Sequence, residues 1–76
     1  MKYIIESTGQ GWSHSCSSEE EVEQIMEGRR LVYEPNVALY GLDEVVRDQG
    51  EALLYPADEP PSYPAVASVR FAGRTK

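Results

Sequence analysis

The distribution of apolar residues near both ends of the chain is typical of β-strands. Residues 2–7 contain β-branched and aromatic side chains, with Tyr3 and Ile5 on one face and Ile4 and Glu6 on the other. In residues 65–72, Ala67, Val69 and Phe71 alternate with Val66, Ser68 and Arg70, and Arg70 is expected to point to solvent. Both segments are predicted to be strands, and the second is expected to be half-buried.

Three shorter segments between these two also favour strands. Residues 12–16 are rich in serine and follow a glycine-rich turn at residues 9–11. Residues 30–34 and 51–55 contain apolar runs of strand length. Residues 37–40 are apolar but too short for their period to separate a strand from a helix. The pattern predicts about four strands in total.

The most regular helical pattern begins after Ser18. Glu21 follows Ser18 by three residues, which is the spacing of a capping box, and acidic residues fill the first turn. Gly28 is expected to end the helix, with Arg29 and Arg30 at its negative end. The apolar stripe that is predicted to face the sheet recurs at i, i+3 and i+4 and consists of Val22, Ile25 and Met26.

A second, shorter helix is predicted for residues 42–49, between Gly41 and Gly50. Asp43 and Arg47 lie at i and i+4, a spacing at which opposite charges attract each other. The buried stripe of this helix is expected to consist of Leu42, Val45 and Val46. Together the patterns predict an α+β fold in which a small antiparallel sheet of about four strands carries two short helices on one face.

Seventy-six residues are expected to form a single domain, residues 1–76, with a modest core. Residues 56–64 contain four prolines and predict an extended connector, and residues 73–76 are expected to be a frayed tail. Within the connector, the run Pro60-Pro61-Ser62-Tyr63 matches the PPxY pattern that WW domains bind. A rigid linker accounts for the same run without a partner.

Residues with catalytic or metal-binding chemistry are few. The chain has one cysteine, Cys16, and one histidine, His14, whereas a zinc site needs three or four ligands. On a strand these two residues share a face about 6.5 Å apart, too far for a direct hydrogen bond between base and thiol. A packed cysteine and a surface histidine are favoured. Gly9 and Gly11 lack the rest of a phosphate loop and are interpreted as a hairpin turn, so we expect no enzyme, metal site or cofactor.

Charge is distributed unevenly along the chain. Residues 19–59 contain twelve acidic residues and three arginines, a net charge of −9, whereas residues 60–76 carry three cations and no acid. The whole chain has a formal net charge of −6. Such a distribution bears on association and solubility rather than on fold. On the first helix, the spacing i, i+3 and i+7 places three carboxylates on one side: Glu20, Glu23 and Glu27.

A row of carboxylates on a helix is either a solvated surface or a binding surface. Glu19 with Glu23, and Glu44 with Asp48 on the second helix, add pairs of like charge at i and i+4. Their β-carbons lie about 5–6 Å apart, and such pairs are slightly destabilising. Phosphates along a nucleic-acid strand repeat on a comparable scale. The row therefore has the spacing to occupy a groove lined by lysine and arginine.

The size, acidity and mixed α and β structure of the chain resemble those of the anti-CRISPR proteins, small phage-encoded inhibitors of bacterial defence. The resemblance covers the whole chain and includes no diagnostic motif. It implies a non-enzymatic nucleic-acid mimic in the host cytoplasm, which binds a basic nucleic-acid-handling surface of a defence complex and contacts neither nucleic acid nor membrane directly. The residues expected to bind the partner are Glu19, Glu20, Glu23, Glu27, Asp43, Glu44 and Asp48, with Tyr40, Tyr55 or Tyr63 as aromatic anchors.

Three other functions stay open. A small accessory or regulatory subunit would form a homodimer by pairing its terminal strand with a second copy, and its acidic face would only be solvated. An adaptor would present the proline-rich run at residues 59–63 to a partner domain. An enzyme would have to use Cys16 as its nucleophile.

Overall fold

Three helices pack on one face of a five-stranded antiparallel sheet in the part of the chain that the computed structural model describes, residues 2–58 and 64–73. In chain order the elements are β1 (Tyr3–Ser7), β2 (Ser13–Cys16), α1 (Glu19–Arg29), β3 (Leu31–Tyr33), α2 (Pro35–Tyr40), α3 (Leu42–Gln49), β4 (Ala52–Pro56) and β5 (Ala67–Phe71). The predicted α+β class and antiparallel sheet are confirmed. All five candidate strand segments pair in the sheet, one more than the predicted total of about four, and the undecided segment forms α2, a third helix.

The strands are ordered β2-β1-β5-β4-β3, so the last strand of the chain lies in the middle of the sheet. Val69 of β5 lies opposite Ile5 of β1 on one side and opposite Ala52 of β4 on the other. Both edges of the sheet are formed by β2 and β3. The backbone of β5 is thus paired on both sides. The prediction of a homodimer built by pairing this terminal strand with a second copy is therefore wrong.

The core consists of one side of the sheet and the inner stripes of the helices. Tyr3 and Ile5 of β1 share one face, as predicted, and this is the buried face, where they are 1% and 0% exposed. In α1, Val22 and Met26 are buried and Ile25 is partly buried, which confirms the predicted stripe. The buried stripe of α3 is also confirmed and consists of Leu42, Val45 and Val46.

The end of α1 lies later than predicted. Gly28 is inside the helix, which continues to Arg29, and Arg30 is the C-cap with a left-handed φ of 58°. The Arg30 N–H donates to the carbonyl of Glu27 (3.3 Å), and its carbonyl accepts from the N–H of Ala57, just after β4 (2.7 Å). This tertiary hydrogen bond to the adjoining strand fixes the chain reversal at Arg30, although a glycine would adopt the left-handed conformation more easily.

The undecided segment at residues 37–40 is helical. It belongs to α2, which begins at Pro35, where a missing N–H is tolerated in the first turn. Gly41, with a φ of 91°, is both the C-cap of α2 and the N-cap of α3. Gly50 closes α3 with a φ of 88°, so the predicted bounds of this helix are confirmed.

The expected ion pair between Asp43 and Arg47 is wrong. Arg47 Nη1 instead contacts Glu44 Oε1 at 3.1 Å. Asp43 Oδ2 lies 3.5 Å from Lys2 Nζ, and the Asp43 carboxylate also accepts a hydrogen bond from the Tyr3 hydroxyl. The partners of the Asp43 carboxylate are therefore Lys2 and Tyr3, at the start of β1, rather than a residue of its own helix.

The predicted connector and tail lie only partly within the described residues. Pro56 is the last residue of β4, opposite Leu31, and is not part of the connector. The run Pro60-Pro61-Ser62-Tyr63, which includes the proposed anchor Tyr63, lies outside the described residues, and so do residues 74–76 of the tail. None of the helices in residues 2–58 and 64–73 has the length and apolarity needed to cross a membrane.

Candidate functional site

The exposed side of α1 carries most of the carboxylates that the sequence pattern indicates. The helix start is well fixed: Ser18 Oγ accepts from the Glu21 N–H (3.3 Å), and Glu21 Oε1 accepts from the Ser17 N–H (2.7 Å). These bonds are the predicted capping box, with Ser17 in place of Ser18 as the second donor. Besides the capping residue Glu21, α1 presents four exposed carboxylates, called the α1 acidic face below, which belong to Glu19, Glu20, Glu23 and Glu27.

The negative charges of the α1 acidic face have no cation paired with them among the described residues, because the ion pairs there involve other carboxylates. These pairs join Glu6 to Arg70 (3.2 Å), Asp43 to Lys2 (3.5 Å), Glu44 to Arg47 (3.1 Å) and Asp58 to Arg30 (3.2 Å). No ion pair among residues 2–58 and 64–73 involves a carboxylate of α1. Arg29, on the same helix, lies instead over the ring of Trp12, with its Cζ 3.9 Å from the ring centroid. The negative field of α1 is therefore available to a partner.

Asp43, another predicted partner-binding residue, has contacts within the fold. The hydrogen bond from the Tyr3 hydroxyl lowers the pKa of the Asp43 carboxyl, and nearby Lys2 acts in the same direction. Burial and this hydrogen bond raise the pKa of Tyr3, and Glu19 contributes to that rise. The buried phenol of Tyr3 is therefore hydrogen-bonded to the start of α3 and is influenced by the charge of Glu19 at the start of α1.

The hydrogen bond from Tyr3 to Asp43 is expected to contribute to stability in a pH-dependent way. Tyr3→Phe is expected to lower the free energy of unfolding by about 1–2 kcal/mol at pH 7, because it removes a hydrogen bond to an ionised carboxylate. Since the pKa of Asp43 is lowered by folding, this stability is present above the ordinary carboxyl pKa and is lost as the pH falls below about 4. Urea unfolding of both proteins at pH 7 and pH 3 measures the difference. A difference that did not shrink at pH 3 would contradict the assignment.

The α2–α3 groove, between these two helices, brings together three of the predicted partner-binding residues. It has a volume of about 290 Å³ and is lined by Asn36, Tyr40, Glu44, Val45, Asp48 and Gln49. Tyr40 is 64% exposed, and its neighbour Leu39 is 71% exposed. The sequence pattern did not single out Leu39, because residues 37–40 had no assigned period and hence no predicted outer face. Only Tyr40 of these two lines the groove, and an exposed aromatic ring in a concave site is suited to contact with a partner.

Cys16 and His14 have the packing that the sequence favours. Cys16 is 1% exposed, and burial raises the pKa of its thiol, with Glu21 contributing, so the neutral form is favoured. His14 is exposed, and its Nε2 lies 3.5 Å from Arg29 Nη2. Residues 2–58 and 64–73 contain no group of three or more histidine, cysteine, aspartate or glutamate side chains placed to hold a metal ion.

The segment from Gly9 to Gly11 is the predicted hairpin turn. It joins β1 to β2, and Gly11 has a φ of 81°. Ser7 Oγ stabilises the turn by accepting from the N–H of Gln10 (3.0 Å) and of Trp12 (3.3 Å). A cavity of about 410 Å³ lies beside this hairpin and is lined by Gln10, Trp12, Gly28, Arg29, Arg30, Leu31, Pro56 and Val66.

Comparisons of the chain with protein-family models, with curated proteins and with solved structures found no match. The resemblance to the anti-CRISPR proteins therefore stays one of size, charge and architecture. Two surfaces of the described residues carry the functional hypotheses, the α1 acidic face and the α2–α3 groove. Tyr55, considered as an alternative anchor, is only half-exposed on β4.

Proposed function

We propose that this protein is a non-enzymatic, anti-CRISPR-like inhibitor that binds a basic nucleic-acid-handling surface of a bacterial defence complex through the α1 acidic face. The observation that supports the proposal is the exposure of Glu20, Glu23 and Glu27 on one side of α1, with no ion pair to a cation of the described residues. Outside α1, most of the described acidic residues that are not buried have an ion pair, namely Glu6, Asp43, Glu44 and Asp58, whereas Asp48 and Glu51 have none with a described cation. The contrast favours a role for α1 in association.

The physical basis is electrostatic complementarity. Like charges at i and i+4 cost a few tenths of a kcal/mol per pair on an isolated helix, so the row does not stabilise α1 by itself. A partner lined by lysine and arginine would relieve that repulsion, and the opposite fields would speed the encounter. Contacts of this kind weaken as salt is added, because exposed charges are screened over about 8–10 Å at physiological ionic strength.

The test is capture of a partner by neutralised variants. The triple variant Glu20→Gln, Glu23→Gln and Glu27→Gln is expected to capture a nucleic-acid-binding complex from bacterial lysate at least about tenfold less well than the wild type. A matched control removes three carboxylates elsewhere, with Glu6→Gln, Glu51→Gln and Asp58→Asn, and should capture it normally. A short DNA duplex should compete with the wild type for the same surface.

Two outcomes would contradict the proposal. One is that the wild type captures no nucleic-acid-binding complex. The other is that the triple variant and its matched control capture the complex equally, which would show that net charge rather than the α1 acidic face matters. The accessory-subunit alternative predicts instead a stable dimer of the 8.5 kDa chain, which light scattering after size exclusion measures directly.

A further inference from the structure

The α2–α3 groove differs from the α1 acidic face in shape as well as in charge. Its floor is formed by Val45, an apolar residue that is only 3% exposed. One wall is the exposed ring of Tyr40, and the other wall carries Glu44 and Asp48 from successive turns of α3. An aromatic ring, an apolar floor and carboxylates are therefore combined in a single concave site.

One end of the groove is braced by partly buried hydrogen bonds to the carboxylate of Glu34. Asn36 Nδ2 and Gln49 Oε1 are 3.5 Å apart at that end, and both side chains also donate to the carboxylate of Glu34 (3.0 and 3.2 Å). Glu34 is 7% exposed and also accepts the backbone N–H of Leu53 (2.9 Å). The groove is thus pre-formed on the folded core, which lowers the entropic cost of binding.

The charges in the groove are only partly balanced. Glu44 has an ion pair with Arg47 (3.1 Å), whereas Asp48 has none with a cation of the described residues. The structure describes no third histidine, cysteine or carboxylate placed with them to hold a metal ion. A cation with an aliphatic stem fits this lining better than a bare ion, because the stem covers Val45 while the charged end meets the carboxylates.

We infer that the α2–α3 groove binds one arginine or lysine side chain of the partner protein. The cation lies between Asp48 and the face of Tyr40, so that an ion pair and a cation–π contact act on the same group. The inference rests on the proposed function only for the existence of a basic partner protein. It adds a second binding site on this chain, distinct from the α1 acidic face.

The experiment uses a small probe, so that it needs no partner. N-acetyl-arginine amide, titrated into the ¹⁵N-labelled protein, is expected to give saturable chemical-shift changes at residues 36–49, with a Kd on the order of millimolar. N-acetyl-citrulline amide has nearly the same shape without the charge and should bind about tenfold more weakly. Tyr40→Ala and Asp48→Asn should each weaken arginine binding about tenfold, whereas Asp58→Asn, the same change outside both surfaces, should leave it unchanged. All three positions are exposed, and the spectra themselves report that each variant is folded.

The outcomes separate this inference from the proposed function. Changes that fail to saturate, that are equal for citrulline, or that appear on α1 rather than at the groove would overturn the groove inference, whatever the capture experiment shows. Saturable binding at the groove together with no captured complex would leave the arginine site in place and contradict only the proposed function. Loss of capture by Asp48→Asn, with capture retained by Glu51→Gln, would support both.

Discussion

Leu54→Ala is expected to destabilise the protein by about 3 kcal/mol, because it truncates a fully buried side chain. Leu54 is 0% exposed and lies on β4, opposite Tyr33 of β3 and Ala67 of β5. The replacement removes buried apolar atoms and leaves a cavity between the sheet and the helices. A domain of this length has a total stability of about 4–11 kcal/mol, so the loss is a large share of it.

The matched control is the same chemical change at an exposed position. Leu39→Ala removes an identical side chain from α2, where Leu39 is 71% exposed, and should change the free energy of unfolding by less than about 0.5 kcal/mol. Urea unfolding, followed by circular dichroism with comparable m-values, measures both variants. Equal shifts of the two midpoints would mean that β4 is not at the centre of the core.

Periodicity was sufficient for the parts of the fold that depend on local sequence. The β-branched and aromatic content of residues 2–7 identified β1 and placed Tyr3 and Ile5 on one face, and the spacing of Ser18 and Glu21 identified the start of α1. The order of the strands was not accessible in this way. The central place of β5 depends on pairing with β1, more than sixty residues away in the case of Tyr3 and Phe71, and no local pattern encodes such a pairing.

The same distinction applies to the candidate sites. The α1 acidic face follows from spacing alone, because residues at i, i+3 and i+7 share a side of any helix. The α2–α3 groove does not, since it requires Tyr40 of one helix to lie beside Asp48 of the next. The end of α1 was not accessible from local sequence either. Local preference favoured Gly28 as the end of the helix, but α1 continues to Arg29, and the Arg30 carbonyl accepts a hydrogen bond from the segment after β4.

Glu34 is the residue whose role the sequence pattern concealed most fully. As one acid among twelve in an acidic stretch, it has the composition of a solvated surface residue. In the structure it is 7% exposed at the N-cap of α2, and its carboxylate joins three elements. The donors are Asn36 Nδ2 (3.0 Å) on α2, Gln49 Nε2 (3.2 Å) on α3 and the Leu53 N–H (2.9 Å) on β4.

Glu34→Ala is accordingly expected to cost about 2 kcal/mol of unfolding free energy. The Leu53 N–H would lose its acceptor in a half-buried position, and an unsatisfied buried donor costs about 1–3 kcal/mol. Asn36 and Gln49 lie nearer the surface, and their side-chain amides can donate to water instead. Their contribution to the loss of stability is therefore smaller. Release of the buried carboxylate from its desolvation offsets part of the loss.

Two further variants show whether the hydrogen bonds of Glu34 are the cause. Glu34→Gln keeps one acceptor oxygen and should recover about half of the lost stability, because the amide can accept from Leu53 but not from all three donors. Glu27→Ala removes a glutamate from the exposed face of α1 and should change stability by less than about 0.5 kcal/mol. Urea midpoints for Glu34→Ala and Glu27→Ala that coincide would refute the role of Glu34. Hydrogen exchange at the Leu53 amide gives the local measurement: its protection should fall more in Glu34→Ala than the loss of global stability explains.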